Sequence, residues 1–232
     1  MCLNYNQNKK VDLFIFAGGR GSRINQITKI QQKCMIKING KEPFINFQIK
    51  KFKKVSLIDK IFILASYKAS SISEYYKNDK KISICIDKKR YGTYLSLLNF
   101  IKKSNKDYIL VSNGDTFVNF NFKNFFKINT DVKILTKQIK SSSRYGAMKI
   151  QKDKLLKFKE KKKFKKTFIN LGIALIRRNI IRDYSFKKFQ SIEEEIFSQT
   201  NKFNISVHKT KSYFIDIGTY DSLKKSKKYF NG

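Results

Sequence analysis

Val11-Asp12-Leu13-Phe14-Ile15-Phe16-Ala17-Gly18-Gly19-Arg20-Gly21-Ser22-Arg23-Ile24 couples a strand signal to an anion-binding signal. Residues 11–16 are apolar but for Asp12 and rich in aromatic and β-branched types, as in a buried strand. Gly18, Gly19 and Gly21 then permit positive φ and close backbone approach, so main-chain N–H groups can converge on an anion. Arg20 and Arg23 set positive charge beside those amides. Strand, glycine turn and basic cluster together describe a phosphate-gripping loop. It is not a P-loop, because no Gly-Lys-Ser/Thr follows. Nor is it a dinucleotide fingerprint, because Ile24 stands where Gly-x-Gly-x-x-Gly needs its third glycine.

The chain of 232 residues is sized for one large α/β domain over 1–232, with room for a substantial core. No stretch approaches the ~18 uncharged apolar residues of a membrane-spanning helix, and the first ten residues lack the apolar core of a signal peptide. Cys2, Cys34 and Cys85 are too few and too scattered for a disulfide framework or a zinc site. The expectation is a cytoplasmic protein without a membrane partner, with a homo-oligomer left open. Fifty-one Lys and Arg against 17 Asp and Glu give a formal charge of +34, which raises polyanion binding as a function. The excess is nearly all lysine, however, and it is spread along a chain also heavy in Ile, Asn, Phe and Tyr. Those residue types together are what an AT-rich coding sequence favours, so no specific nucleic acid is expected as partner.

Outward from the glycine loop, segments alternate. Met35-Ile36-Lys37-Ile38 alternates like a short strand ending at Asn39-Gly40, and 44–52 after Pro43 suits a helix. Strands at 61–65, 82–86 and 108–111 enclose helices at 70–76 and 94–101. This rhythm predicts a Rossmann-like α/β fold: a mixed, mostly parallel sheet flanked by helices, with ligands gathering at the strands' carboxyl ends. The second half predicts strands at 131–136, 145–150, 155–159, 168–176 and 205–208, a helix at 192–198, and a last helix at 220–229. Asp115 follows one strand, and Asp216 lies between Ile215 and Ile217, where an unpaired charge would be costly. Two carboxylates with phosphate oxygens and water make a shell suited to Mg²⁺; helix or turn capping and a lysine partner are the alternatives for them. His208, the sole histidine, reads as a half-buried strand residue, and no Ser/His/Asp or Cys/His hydrolase pattern is present.

Gly18-Gly19-Arg20-Gly21-Ser22-Arg23-Ile24 resembles the Gly-Gly-x-Gly-Ser/Thr-Arg-Leu signature of sugar-1-phosphate nucleotidyltransferases. Lys33, Asn113-Gly114-Asp115-Thr116-Phe117, Arg144-Tyr145-Gly146, Glu160-Lys161, Asn170-Leu171-Gly172 and Phe214-Ile215-Asp216-Ile217-Gly218 follow in the family's order. Short length and the later motifs are most similar to D-glycero-D-manno-heptose-1-phosphate guanylyltransferases, then to mannose-1-phosphate guanylyltransferases. The resemblance implies that an NTP (GTP first) and a sugar 1-phosphate are joined with release of pyrophosphate, with Mg²⁺ as cofactor. It implies nucleotide binding by Ala17, Gly18, Gly19, Gly21, Ser22, Arg23, Gly92 and Thr93, and catalysis by Arg23, Lys33 and Asp115. It further implies that Asp115 and Asp216 hold the metal and that Gly146, Glu160, Lys161 and Asn170 bind the sugar phosphate.

Two departures carry expectations. The family writes Pro-Lys-Pro-Met around the lysine, whereas Gln32-Lys33-Cys34-Met35 loses two prolines and their rigidity. Arg90-Tyr91-Gly92-Thr93-Tyr94-Leu95 replaces Pro-Leu-Gly-Thr and a small residue, so the Tyr94 ring is expected to crowd the nucleotide or stack on its base. A retained fold that binds nucleotide sugar without turnover is the alternative to an enzyme.

Overall fold

The computed structural model describes residues 9–88, 92–142, 144–159, 164–182 and 191–231. Strand β1 (Val11–Ala17) runs through the middle of the molecule. Its alternate side chains serve two cores: Leu13 and Ile15 pack on one face of the sheet, Phe14 on the other. This is why the run is continuously apolar, as in parallel strands covered on both sides. Asp12 is buried within it because it accepts hydrogen bonds from Ser104 Oγ (2.7 Å) and the Lys60 N–H (3.1 Å).

A short helix α1 (Asn25–Thr28) follows the glycine loop, and α2 (Phe44–Lys53) begins directly after Pro43, which supplies its N-cap. Strand β2 (Ile58–Ala65), helix α3 (Ala69–Tyr76), strand β3 (Ile82–Ile86), helix α4 (Thr93–Phe100) and strand β4 (Tyr108–Asn113) continue the alternation. Phe52 of α2 and Ile72 of α3 cover one sheet face; Tyr94 and Leu97 of α4 cover the other. The predicted strand at 35–38 does not form. Lys33–Met35 is a 3-10 turn, and only an isolated bridge between Lys37 and Pro43 represents the alternation.

Beyond β4 come β5 (Thr116–Val118), β6 (Val132–Ser142), β7 (Ala147–Gln151), β8 (Lys154–Lys159), β9 (Phe164–Arg177) and a one-turn helix α5 (Arg178–Arg182). A π-helix at Glu193–Phe197, β10 (Ile205–Lys209), β11 (Phe214–Asp216) and α6 (Tyr220–Asn231) complete the chain. The large sheet runs β3-β2-β1-β4-β9-β6-β10-β8-β7, and β7 pairs back onto β9, so its far half curls round on itself. The expectation of a mostly parallel sheet needs correction. The β3-β2-β1-β4 half and the β6–β10 pair are parallel, but β9 lies antiparallel to β4, β6 and β7, and β8 antiparallel to β10 and β7. Apolar alternation marks a strand without naming its neighbour or direction, and the short β7–β8 connection favours an antiparallel pair.

Separately, β5 and β11 form a two-stranded antiparallel ribbon whose register sets Asp216 opposite Thr116. The ribbon packs with α6 in a third apolar cluster that includes Phe117, Ile215 and Leu223. No helix among the described residues is long and apolar enough to cross a membrane.

Candidate active site

The carboxyl ends of β1, β2, β3 and β4 open into a cleft of about 450 Å³. Ala17, Gly18 and Gly19 line it from the β1 loop, Gly92 and Thr93 from the start of α4, and Lys33 and Asp115 from its inner end. Of the three loop glycines only Gly21 has positive φ, at 67°. A Cβ there would lie 2.7 Å from the Thr28 side chain and 3.2 Å from that of Lys33, so Gly21 lets the turn fold down against the lysine. Neither Gly21 nor Ser22 lines the cleft: their place is in the turn that carries Arg23. Gly19 faces open space, where an approaching ligand meets bare backbone.

Lys33 is positioned by its neighbour. The Gln32 side chain is buried, donates from Nε2 to the Ala17 carbonyl (2.5 Å) and accepts the Cys34 N–H at Oε1 (2.5 Å). One amide thus fastens the lysine turn to the end of β1. The rigidity expected to vanish with the family's prolines is supplied by this clamp. Cys34 is fully enclosed, and burial, with Asp115 adding to it, pushes its thiol well above the usual range, so it is no nucleophile.

Lys33 pairs with Asp115, which the Gly114 turn presents at the end of β4. A second cavity of about 170 Å³ opens beyond them, lined by Arg23, Asp115, Arg144, Tyr145 and Asp216. The β5–β11 ribbon brings the two aspartates together, and the Ile217 N–H donates to the Asp115 carbonyl at 3.0 Å. Asp216 is buried but not alone: it accepts from Arg144 Nη2 (2.5 Å), the Gly218 N–H (2.7 Å) and the Tyr145 hydroxyl. Burial, reinforced by Asp216, raises the Tyr145 phenol far above its ordinary value, which keeps it a donor. A Cβ at Gly218 would fall 2.6 Å from Asp216 Oδ1, so only glycine leaves this carboxylate in place.

Among the described residues no group of three or more His, Cys, Asp and Glu could cage a metal. The oxygen-only pair Asp115 and Asp216, in a polar cavity shared with Arg23 and Lys33, suits instead a Mg²⁺ that completes its shell with ligand oxygens and water.

A third cavity, of about 270 Å³, is lined by Thr93, Asn113, Arg144, Tyr145, Gly146, Phe158, Asn170 and Glu193, with Ser191 at its margin. It places Gly146 and Asn170 together; Glu160 and Lys161, expected beside them, lie outside the described residues, as do Arg90 and Tyr91. Asn113 lines all three cavities and sits at their junction. The expectation for Tyr94 is wrong. Its ring is 1 % exposed in the core, and its hydroxyl donates to the Ile181 carbonyl at 2.8 Å, so it faces away from the cleft.

Asn113, Arg144 and Tyr145 stand in recognisable motifs without an expected role of their own, Gln32 reads from sequence only as a lost proline, and Asp87 and Glu193 carry no motif. Asp87 directly follows β3 and lines the first cleft. For Glu193 the available signal was compositional: Glu193-Glu194-Glu195 is an acidic run in a lysine-rich chain.

Residues 13–231 match the family described as nucleotidyl transferase. The chain belongs to that family. This nucleotidyl transferase is 33% identical over 211 residues to D-glycero-alpha-D-manno-heptose 1-phosphate guanylyltransferase of Campylobacter jejuni, covering 88% of this chain and 93% of the relative. It is 25% identical to the enzyme of the same name from Aneurinibacillus thermoaerophilus, covering 94% and 97% of the two chains. Among solved structures, the nucleotidyl transferase superposes on HddC from Yersinia pseudotuberculosis complexed with GMP-PN with a TM-score of 0.83 at 27% identity, covering 95% of this chain and 99% of that one.

Proposed function

We propose that the protein transfers a guanylyl group from GTP to a manno-configured sugar 1-phosphate of the heptose or mannose type, releasing pyrophosphate, for surface-polysaccharide precursors. The observation that carries this is the meeting of a glycine-lined cleft and a polar, Asn170-bearing cavity at one cluster, Lys33, Asp115 and Asn113. A donor nucleotide and an acceptor phosphate seated in the two cavities would meet there. The names of the relatives and the guanine nucleotide analogue bound to HddC support the guanylyl reading.

The site's own chemistry supports guanine as well. Asp87 is buried in the lining of the cleft and already accepts from Ser96 Oγ (2.5 Å) and Asn99 Nδ2 (3.1 Å). A carboxylate has about four acceptor positions, so it retains capacity for two more donors. Guanine offers adjacent ring N–H and amino donors, which adenine and the pyrimidines do not present together.

In the reaction an oxygen of the sugar phosphate attacks the α-phosphorus, and the bond to the β-phosphate oxygen breaks as pyrophosphate leaves. No covalent enzyme intermediate is needed; positioning and charge neutralisation carry the catalysis. The amides around Gly18 and Gly19 would hold the triphosphate, and Arg23 and Lys33 would offset charge on the leaving group and the α-phosphate. Asp115 and Asp216 would hold Mg²⁺, which when bound supplies a positive charge that orients the reacting oxygens.

The test is pyrophosphate release across a panel of nucleoside triphosphates against mannose, glucose and heptose 1-phosphates, with and without Mg²⁺. GTP with a manno-configured acceptor should be fastest, and Asp115→Ala should lose at least about 10²-fold in kcat, as for loss of a charge-stabilising group. Full turnover by Asp115→Ala would refute this mechanism. Tight nucleotide-sugar binding without turnover would favour a retained binding protein, and salt-steep DNA or RNA binding would revive the polyanion reading.

A further inference from the structure

The third cavity holds a carboxylate that no motif announces. Glu193 opens the π-helix, a rare turn that is frequent at functional sites. Three contacts fix where it stands. The Ile192 N–H donates to Thr93 Oγ1 at 3.0 Å, tying the segment to the start of α4. Ser191 and Glu194 bond each other through Oγ and carboxylate at 3.1 Å, closing the turn on its outer side. The Asn170 amide, from β9, donates from Nδ2 to Glu193 Oε1 at 3.1 Å. Asn170 Oδ1 in turn accepts the Gly172 N–H at 2.8 Å, which sets the amide so that its NH₂ points to the glutamate.

The rest of that cavity is uneven in character. Arg144 and Tyr145 also line the cavity of the two aspartates, and the Arg144 Nε is enclosed without a hydrogen-bond partner among the described residues. The Phe158 ring forms an apolar wall, against which Gly146 is so close that any Cβ would collide. Glu193 and the Asn170 amide that holds it complete the lining with Thr93 and Asn113. A ligand here therefore meets a guanidinium, an aromatic ring and a carboxylate held by an amide. A phosphorylated polyol offers a partner to each of these: an anion, a C–H face and hydroxyl donors. An ionised carboxylate only accepts hydrogen bonds, so it selects hydroxyl hydrogens and disfavours a second anion.

We infer that Glu193 is a specificity-determining residue of the acceptor subsite, accepting hydrogen bonds from the sugar's ring hydroxyls while Asn170 holds its carboxylate in register. The inference rests on the nucleotidyl-transfer reading, because it supposes that the acceptor sugar fills this cavity. Hydrogen bonds to a charged group are the stronger kind, and they discriminate steeply against a substrate that lacks the hydroxyl.

The experiment measures KM and kcat for GTP and for the preferred sugar 1-phosphate, and for deoxy analogues lacking one hydroxyl each, in the wild type, Glu193→Gln and Glu193→Ala. GMP-PN binding and thermal midpoint are followed in parallel. Glu193→Ala should raise the KM of the sugar 1-phosphate by about 10- to 100-fold while GTP's KM and GMP-PN affinity stay within about twofold. It should also lose the wild type's preference for one hydroxyl over its deoxy counterpart, a change that a general loosening of the fold would not produce. Glu193→Gln keeps the shape and tests the charge; it should lie between the two. If the wild type turns over and both variants keep its sugar KM and hydroxyl preference, the inference is overturned and the nucleotidyl-transfer reading stands. If GMP-PN affinity falls in step with sugar KM in both variants, Glu193 is a structural residue and the inference also fails. If the wild type releases no pyrophosphate from any pairing, both fall together.

Discussion

Gln32 and Lys33 show how a site residue can be recognised while the means of placing it goes unseen. The lysine stands out by its distance from the glycine loop, and in the fold it pairs with Asp115. The Gln32 clamp could not be read because a glutamine two positions before a cysteine marks nothing; its partner Ala17 is reached only once the chain has turned. Gln32→Ala should lower kcat/KM about 10- to 100-fold by letting the Lys33 turn drift, given that a misplacement of about 1 Å can cost 10²-fold. Gln32 has φ −64° and ψ 140°, a conformation proline adopts readily. Gln32→Pro should therefore recover most of that loss. Equal impairment of both variants would show that the hydrogen bonds matter for more than backbone restraint.

Helix α4 illustrates what local reading can and cannot supply at the level of elements. Its existence and its apolar side follow from the spacing of Leu95, Leu97, Leu98 and Ile101, yet the direction of Tyr94 does not. Motif position placed that ring near a base, whereas the structure seats it in the core against α5. The same limit applies to β6–β9, whose strand character was readable and whose antiparallel pairings were not. Tyr94→Phe removes one buried hydrogen bond between α4 and α5 and should cost about 1–3 kcal/mol, leaving the GTP KM unchanged. For a chain of this length each kcal/mol corresponds to roughly 2–4 °C in the thermal midpoint. A raised GTP KM with an unaltered midpoint would return Tyr94 to the nucleotide site.

At the scale of the whole molecule, charge sets a background that the fold does not need and the substrates can use. A formal charge of +34 favours capture of polyphosphates without specifying one. Acid sensitivity has a more local origin. His208 in β10 packs against the rings of Phe120 and Phe125, and burial, helped by Lys133, holds its imidazole below the ordinary value. The unfolded chain then binds more protons than the folded one once pH drops below about 6.5, so stability falls with pH from there down to the depressed folded pKa. Glu195 works the other way, because burial raises its carboxyl. Denaturant midpoints between about pH 5 and 8 should therefore show a shallower acid decline in His208→Gln than in the wild type. Parallel declines would assign the sensitivity to the carboxylates alone.

The return of β7 onto β9 has a consequence for how copies of this chain can meet. A sheet ordinarily has two open edges, each a template for a stranger's backbone. Here one end of the large sheet is spent on its own pairing, which leaves β3 as that sheet's exposed margin among the described strands. That strand is short, and its last residue, Ile86, is half-exposed. Its carboxyl end leads to Asp87, in the lining of the glycine-loop cleft. Strand addition to the large sheet from outside would therefore take hold at β3, and it would grip the molecule beside its largest described cleft.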